Sequence, residues 1–81
     1  MFKKEEICKA LLDIFKCDSV SYYEDETFNM YHTIFELKKD SKSYATSVNN
    51  EMLEKIPYKK VISYISREYI DLMLYGMNRS D

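Results

Sequence analysis

The chain has 81 residues, of which 46% are hydrophobic and 32% are charged, and its formal net charge is −2. A chain of this length predicts one domain, residues 1–81, with a thin core and no large enclosed substrate pocket. The mild acidity argues against a protein that works mainly by neutralising phosphates, and the hydrophobic content argues against disorder.

The first predicted element is an amphipathic helix over residues 3–17, whose apolar side chains share one side. Cys8 and Cys17 lie nine positions apart on it, so their side chains point about 180° away from each other and no disulfide joins them. Two small, buried, unpaired cysteines are typical of a reducing compartment. Neither a secretory signal nor a membrane-spanning run is present. These features predict a cytoplasmic protein that does not enter a membrane.

The middle third predicts three β-strands, over residues 20–24, 27–38 and 43–48, separated by polar breaks at 24–26 and 39–42. We interpret them as an antiparallel meander. Both faces of the long central strand are largely apolar, Phe28, Met30, His32 and Ile34 on one and Tyr31, Thr33, Phe35 and Leu37 on the other. Helices can cover one face and leave part of the other to a partner. A bulge that exchanges the two faces midway is the alternative.

The C-terminal third predicts a helical segment that is broken at Pro57. Asn49 or Asn50 is a good N-cap for a short first helix, and Gly76 suits the end of a longer second one. A broad apolar arc of the longer helix predicts core residues, namely Tyr58, Val61, Ile62, Tyr64, Ile65, Tyr69, Leu72, Met73 and Tyr75. The expected fold class is therefore α+β, with helices and sheet packed as two layers.

A second apolar stripe on this helix lies outside the core arc. Ile70 and Leu74 are an i,i+4 pair among polar residues, and Met77 lies nearby if the helix continues. A chain this short covers such a stripe most simply with another protein surface. These three residues are predicted to mediate self-association, as a homodimer or larger assembly.

No catalytic, cofactor-binding or metal-ligating motif is present. His32 is the only histidine, and its place in mid-strand predicts a structural role. A Cys-His pair requires the first helix to pack on the face that carries His32, and no third orienting residue is evident. One histidine and two diverging cysteines do not supply a metal site, and no glycine-rich loop cradles a phosphate. The chain is predicted not to be an enzyme.

A partner surface is predicted on the sheet and its second loop. Tyrosine is enriched at protein interfaces, and basic side chains can hold an acidic surface; the candidates are Tyr22, Tyr31, Tyr44, Lys38, Lys39 and Lys42. A second basic group comprises Lys55, Lys59 and Lys60, whereas the acidic run 24–26 is interpreted as a solvated hairpin tip. Convergence of the six lysines near Tyr44 and Tyr58 would favour the alternative of a nucleic-acid-binding regulatory domain. Their dispersal would count against it.

The leading hypothesis is a small non-enzymatic protein-interaction module. Residue types with AT-rich codons (Phe, Tyr, Asn, Ile, Lys) far outnumber those with GC-rich codons (Gly, Ala, Arg, Pro). In size and composition the chain resembles, in general character only, the small accessory proteins of phages and mobile elements. That resemblance implies an inhibitor of a host protein, such as a CRISPR-type defence nuclease.

Overall fold

The computed structural model describes residues 3–75 and confirms the predicted α+β class. The elements in chain order are α1 (Lys3–Phe15), β1 (Ser19–Thr27), β2 (Met30–Lys39), β3 (Lys42–Asn49), α2 (Asn50–Lys55) and α3 (Tyr58–Tyr75). The strands form one antiparallel sheet in the order β1-β2-β3, the predicted meander. All three helices contribute buried side chains to a core on one face of that sheet. The predicted end of the long helix, Gly76, lies outside the described residues.

The strand register decides which face of the sheet carries the core. Pairing runs without interruption from Ser19 opposite Lys38 to Thr27 opposite Met30, so no bulge exchanges the faces. On β2, Thr33, Phe35 and Leu37 are each 0% exposed. The odd positions therefore face the helices, and no described element covers the even positions.

The turns of the two hairpins are tighter than predicted. Phe28 and Asn29 join β1 to β2, Asp40 and Ser41 join β2 to β3, and all four residues have positive φ, as in type I′ turns. Residues 24–26 lie inside β1 rather than in a turn, so the break predicted there is wrong. Cross-strand pairing with β2 outweighs the low strand propensity of Asp and Glu.

The core is built around Tyr69 of α3. Its hydroxyl donates a hydrogen bond to the Phe35 carbonyl oxygen at 2.5 Å, and its ring meets that of Phe15 edge-on at 5.8 Å. The fully buried apolar residues around it are Ile7, Leu11, Phe35, Leu37, Val61 and Ile65. Tyr64 and Tyr75 were also predicted in the core but are 40% and 63% exposed. They flank the buried stripe, and the sheet covers a narrower arc of α3 than the apolar residues span.

Capping contacts fix the helices relative to one another. The Asn49 side chain accepts a hydrogen bond from the Glu51 amide and begins α2, as predicted. At the other end of α2, Lys3 of α1 donates to the carbonyl oxygens of Leu53 and Ile56, where a cation is favoured by the helix dipole. The start of α1 is thus held near the start of α3. Because the end of α1 contacts Tyr69, α1 and α3 run in the same direction.

Candidate interaction surfaces

Two of the three predicted self-association residues are exposed at the end of α3. Ile70 is 46% exposed and Leu74 is 71% exposed. Helix α3 continues for six residues beyond Tyr69, where α1 has already ended, so α1 does not cover Leu74. The third residue, Met77, lies outside the described residues.

Helix α1 adds a third exposed aliphatic side chain, Ile14, which is 52% exposed. Eleven positions after Lys3, it lies on the same side of α1 as Lys3, toward α2 and α3. On α3, the Ser66 hydroxyl is buried, and Ile70 follows one turn later on the same flank of the helix. The Phe15–Tyr69 contact places Ile14 and Ile70 at the same level. We call Ile14, Ile70 and Leu74 the helix-end patch.

The predicted partner residues on the sheet are not brought together. Tyr22 and Tyr44 are half-buried against the core, and the Lys4 ammonium lies 5.8 Å from the centre of the Tyr22 ring. Tyr31 is 56% exposed near the β1–β2 turn, whereas Lys38 is exposed near the opposite end of β2. Seven residue steps along the strand separate these two, about 23 Å. They do not form one compact contact surface.

Lys39 is engaged within the fold. Its ammonium donates hydrogen bonds to the carbonyl oxygens of Phe15 at 3.0 Å and Lys16 at 3.3 Å, at the C-terminal end of α1. These carbonyls have no partner inside the helix, and a cation there also interacts favourably with the helix dipole. Of the three lysines predicted to contact a partner, Lys38 and Lys42 are exposed and Lys39 is a helix cap.

Removing this cap is expected to weaken the fold. Lys39→Met keeps the apolar stem but loses both hydrogen bonds, so the free energy of unfolding should fall by about 0.5–1 kcal/mol in urea titrations. Lys38→Met and Lys42→Met are the matched controls and should stay within about 0.5 kcal/mol of the wild type. Equal effects of all three substitutions would contradict the capping role.

The two lysine groups lie at opposite ends of α1. Lys39 connects the β2–β3 loop to the end of that helix. Lys3 connects the start of the helix to the α2–α3 junction, which lies next to Lys55. A helix of 13 residues is about 20 Å long. Lys55 also pairs with Glu51 at 3.5 Å. The convergence that would favour a nucleic-acid interface is absent from the described part of the chain.

His32 and the cysteines lie on opposite sides of the sheet. His32 occupies an even position of β2, on the bare face between Asp25 and Asn49. Cys8 and Cys17 pack against the core on the other face. The sheet therefore separates the imidazole from both thiols and rules out the Cys-His pair. That His32 is structural stays a prediction.

One cleft opens between α1, α2 and the inner face of β1. Its volume is about 550 Å³, and its lining includes Lys3, Lys4, Tyr22, Glu24 and Leu53. Both lysines are engaged, Lys3 with the carbonyls of α2 and Lys4 with the Glu24 carboxylate. Neither ammonium is left to attract an anionic ligand.

The most exposed aromatic residue among residues 3–75 was not among the predicted site residues. Phe28 is 91% exposed at the β1–β2 turn. The sequence pattern placed it on the central strand, because Phe is a strong strand former and turn positions with positive φ favour Gly, Asn and Asp. The neighbouring Asn29 is the only local signal that could have located the turn.

Comparison with protein-family models, with curated proteins and with solved structures found no match. Among the residues that the structure describes, no cluster of three or more His, Cys, Asp or Glu side chains can hold a metal ion. In the same range no helix combines the length and the apolar character that crossing a bilayer requires. The function proposed below therefore rests on the surfaces and the composition of this chain.

Proposed function

We propose that the chain is a small non-enzymatic protein-interaction module that forms a homodimer through the helix-end patch. The observation that carries this proposal is the 71% exposure of Leu74, together with the exposure of Ile70 and Ile14. Fully burying one such aliphatic side chain contributes about 1.5–3 kcal/mol. In a dimer with a twofold axis, both copies of each of the three residues would be buried.

The polar residues around the patch support a self-complementary contact. Asp13 and Lys16 form an exposed ion pair at 3.3 Å on α1. On α3, Arg67 and Asp71 are exposed on the turns that precede Leu74. An apolar centre within a rim of both charge signs is the usual composition of a protein interface. Such a rim lets two copies meet without net repulsion.

We further propose that the module is encoded by a phage or mobile element with an AT-rich genome. In this view it acts in the cytoplasm by binding and blocking a host protein, for example a CRISPR-type nuclease. The small size and the residue composition support this setting. The wide separation of the two lysine groups gives the nucleic-acid alternative no comparable support.

Leu74→Asp tests the proposed dimer interface. The substitution should give a monomer on size exclusion with light scattering, with unchanged far-UV circular dichroism, because a carboxylate cannot be buried at an apolar contact without a large penalty. Ser63→Asp is the matched control: Ser63 is exposed on the same helix, about 16 Å away, and this variant should remain a dimer.

Two results would contradict the interface. A dimer that persists in the Leu74→Asp variant would place the contact elsewhere. Loss of helical signal in that variant would place Leu74 in the core of the fold.

A further inference from the structure

The β1–β2 hairpin extends beyond the three-stranded sheet. Pairing between β2 and β3 ends where His32 lies opposite Asn49, whereas pairing between β1 and β2 continues to Thr27 opposite Met30. Every residue from 23 to 31 is exposed. We call residues 23–31 the hairpin tip.

The hairpin tip displays large apolar side chains that contribute little to the core. Phe28 is 91% exposed, and Tyr23, Met30 and Tyr31 are between 46% and 56% exposed. Single exposed apolar residues are normal, but here Phe28 at the turn is flanked by Tyr23 and Met30 on the bare face of the hairpin and by Tyr31 on the other face, so large apolar side chains are exposed on both sides of the tip. Aromatic residues and methionine are also the types enriched at the centres of interfaces.

The backbone conformation of Phe28 is unfavourable for a residue of its type. Its φ is +53° and that of Asn29 is +63°. Asn tolerates this left-handed conformation, whereas a bulky aromatic residue rarely adopts it. Phe28 therefore occupies an unfavourable conformation while its side chain stays in water. Strained residues of this kind are found where a side chain has a binding function.

The charges of the hairpin tip indicate the chemistry of its partner. Glu24 pairs with Lys4, whereas Asp25 and Glu26 form no ion pair with the other described residues. Two unpaired carboxylates beside an exposed aromatic ring match a basic surface and repel a phosphate backbone or an anionic membrane. They also disfavour contact between the tips of two copies.

We propose that the hairpin tip binds a partner protein by inserting Phe28 into an apolar pocket rimmed by Lys and Arg side chains. Asp25 and Glu26 pair with that rim, and Met30 and Tyr31 contact the pocket edge. This inference rests on the proposed protein-interaction function and specifies the chemistry of the partner's surface. The tip lies beyond the start of α1 and the helix-end patch lies at its end, so a dimer leaves both tips free.

The test is site-specific photo-crosslinking in the source cell, followed by reconstitution. The full chain carries the photoreactive residue p-benzoylphenylalanine at position 28, and a control chain carries it at position 63 on α3. A protein that couples only from position 28 is purified. Its affinity is then measured for the wild type, for Phe28→Asn and for the double charge reversal of Asp25 and Glu26 to Lys. Phe28→Asn suits the positive φ and should melt no lower than the wild type.

The proposal expects at least a tenfold loss of affinity for both variants and a coupled peptide with Lys or Arg beside apolar residues. Affinity of the wild type should also fall as salt rises. Coupling from neither position, coupling to nucleic acid or to a second copy, or a Phe28→Asn variant that binds like the wild type would overturn it. The dimer test uses Leu74 and is independent, so either proposal can fail alone.

Discussion

Phe35→Ala is expected to lower the free energy of unfolding by about 3–5 kcal/mol. Phe35 is 0% exposed at the centre of β2, its ring lies 6.2 Å from that of Tyr22, and its carbonyl accepts the Tyr69 hydrogen bond. A domain of this size has on the order of 5–10 kcal/mol of total stability. The substitution should therefore remove much of it, and urea titration followed by circular dichroism measures the loss.

Phe28→Ala is the matched control, because it removes the same ring from an exposed site in the β1–β2 turn. It should change stability by no more than about 0.5 kcal/mol. Similar losses in the two variants would contradict the assignment of the odd positions of β2 to the core face.

Stability is expected to fall as the pH rises above about 9. Burial, with a smaller contribution from Glu5, raises the pKa of the Cys8 thiol from 9.0 to about 11. Burial also raises the pKa of the Tyr69 hydroxyl well above its usual range. Each of these groups has a higher pKa in the folded chain than in the unfolded chain. Its contribution to the free energy of unfolding is therefore fully present below the pKa of the unfolded chain and is lost as the pH rises through the pKa of the folded chain.

Urea titrations at pH 7, 9 and 10.5 under reducing conditions measure this dependence. Cys8→Ala and Tyr69→Phe should each flatten it. Tyr69→Phe should also cost about 1 kcal/mol at pH 7, because the hydrogen bond to Phe35 is lost. A wild type whose stability is constant from pH 7 to 10.5 would contradict the burial of both groups.

The fold follows from signals that the sequence displays locally. The helical period of Ile7 and Leu11, the strand period of Thr33, Phe35 and Leu37, and the break at Pro57 predict the elements and their order. Each of these patterns arises because one helix or strand packs one face against the core, so the spacing of its own residues is enough to predict it.

The surfaces were less predictable, because they depend on where elements end relative to one another. The exposure of Ile14 follows from the level at which α1 ends beside α3, and that of Phe28 follows from a turn at residues 28–29 instead of the predicted break at 24–26. The engagement of Lys39 depends on the distance between a loop and a helix end that are far apart in sequence. Periodicity carries no information about these distances.

Sedimentation equilibrium of the wild-type chain tests the proposed homodimer most directly. Over about 1 to 100 µM the mass should rise toward twice the 9.8 kDa of one chain, since association depends on protomer concentration. The Leu74→Asp variant, measured beside it, should stay at one chain throughout. A wild type that stays at 9.8 kDa over the whole range would contradict self-association through the helix-end patch.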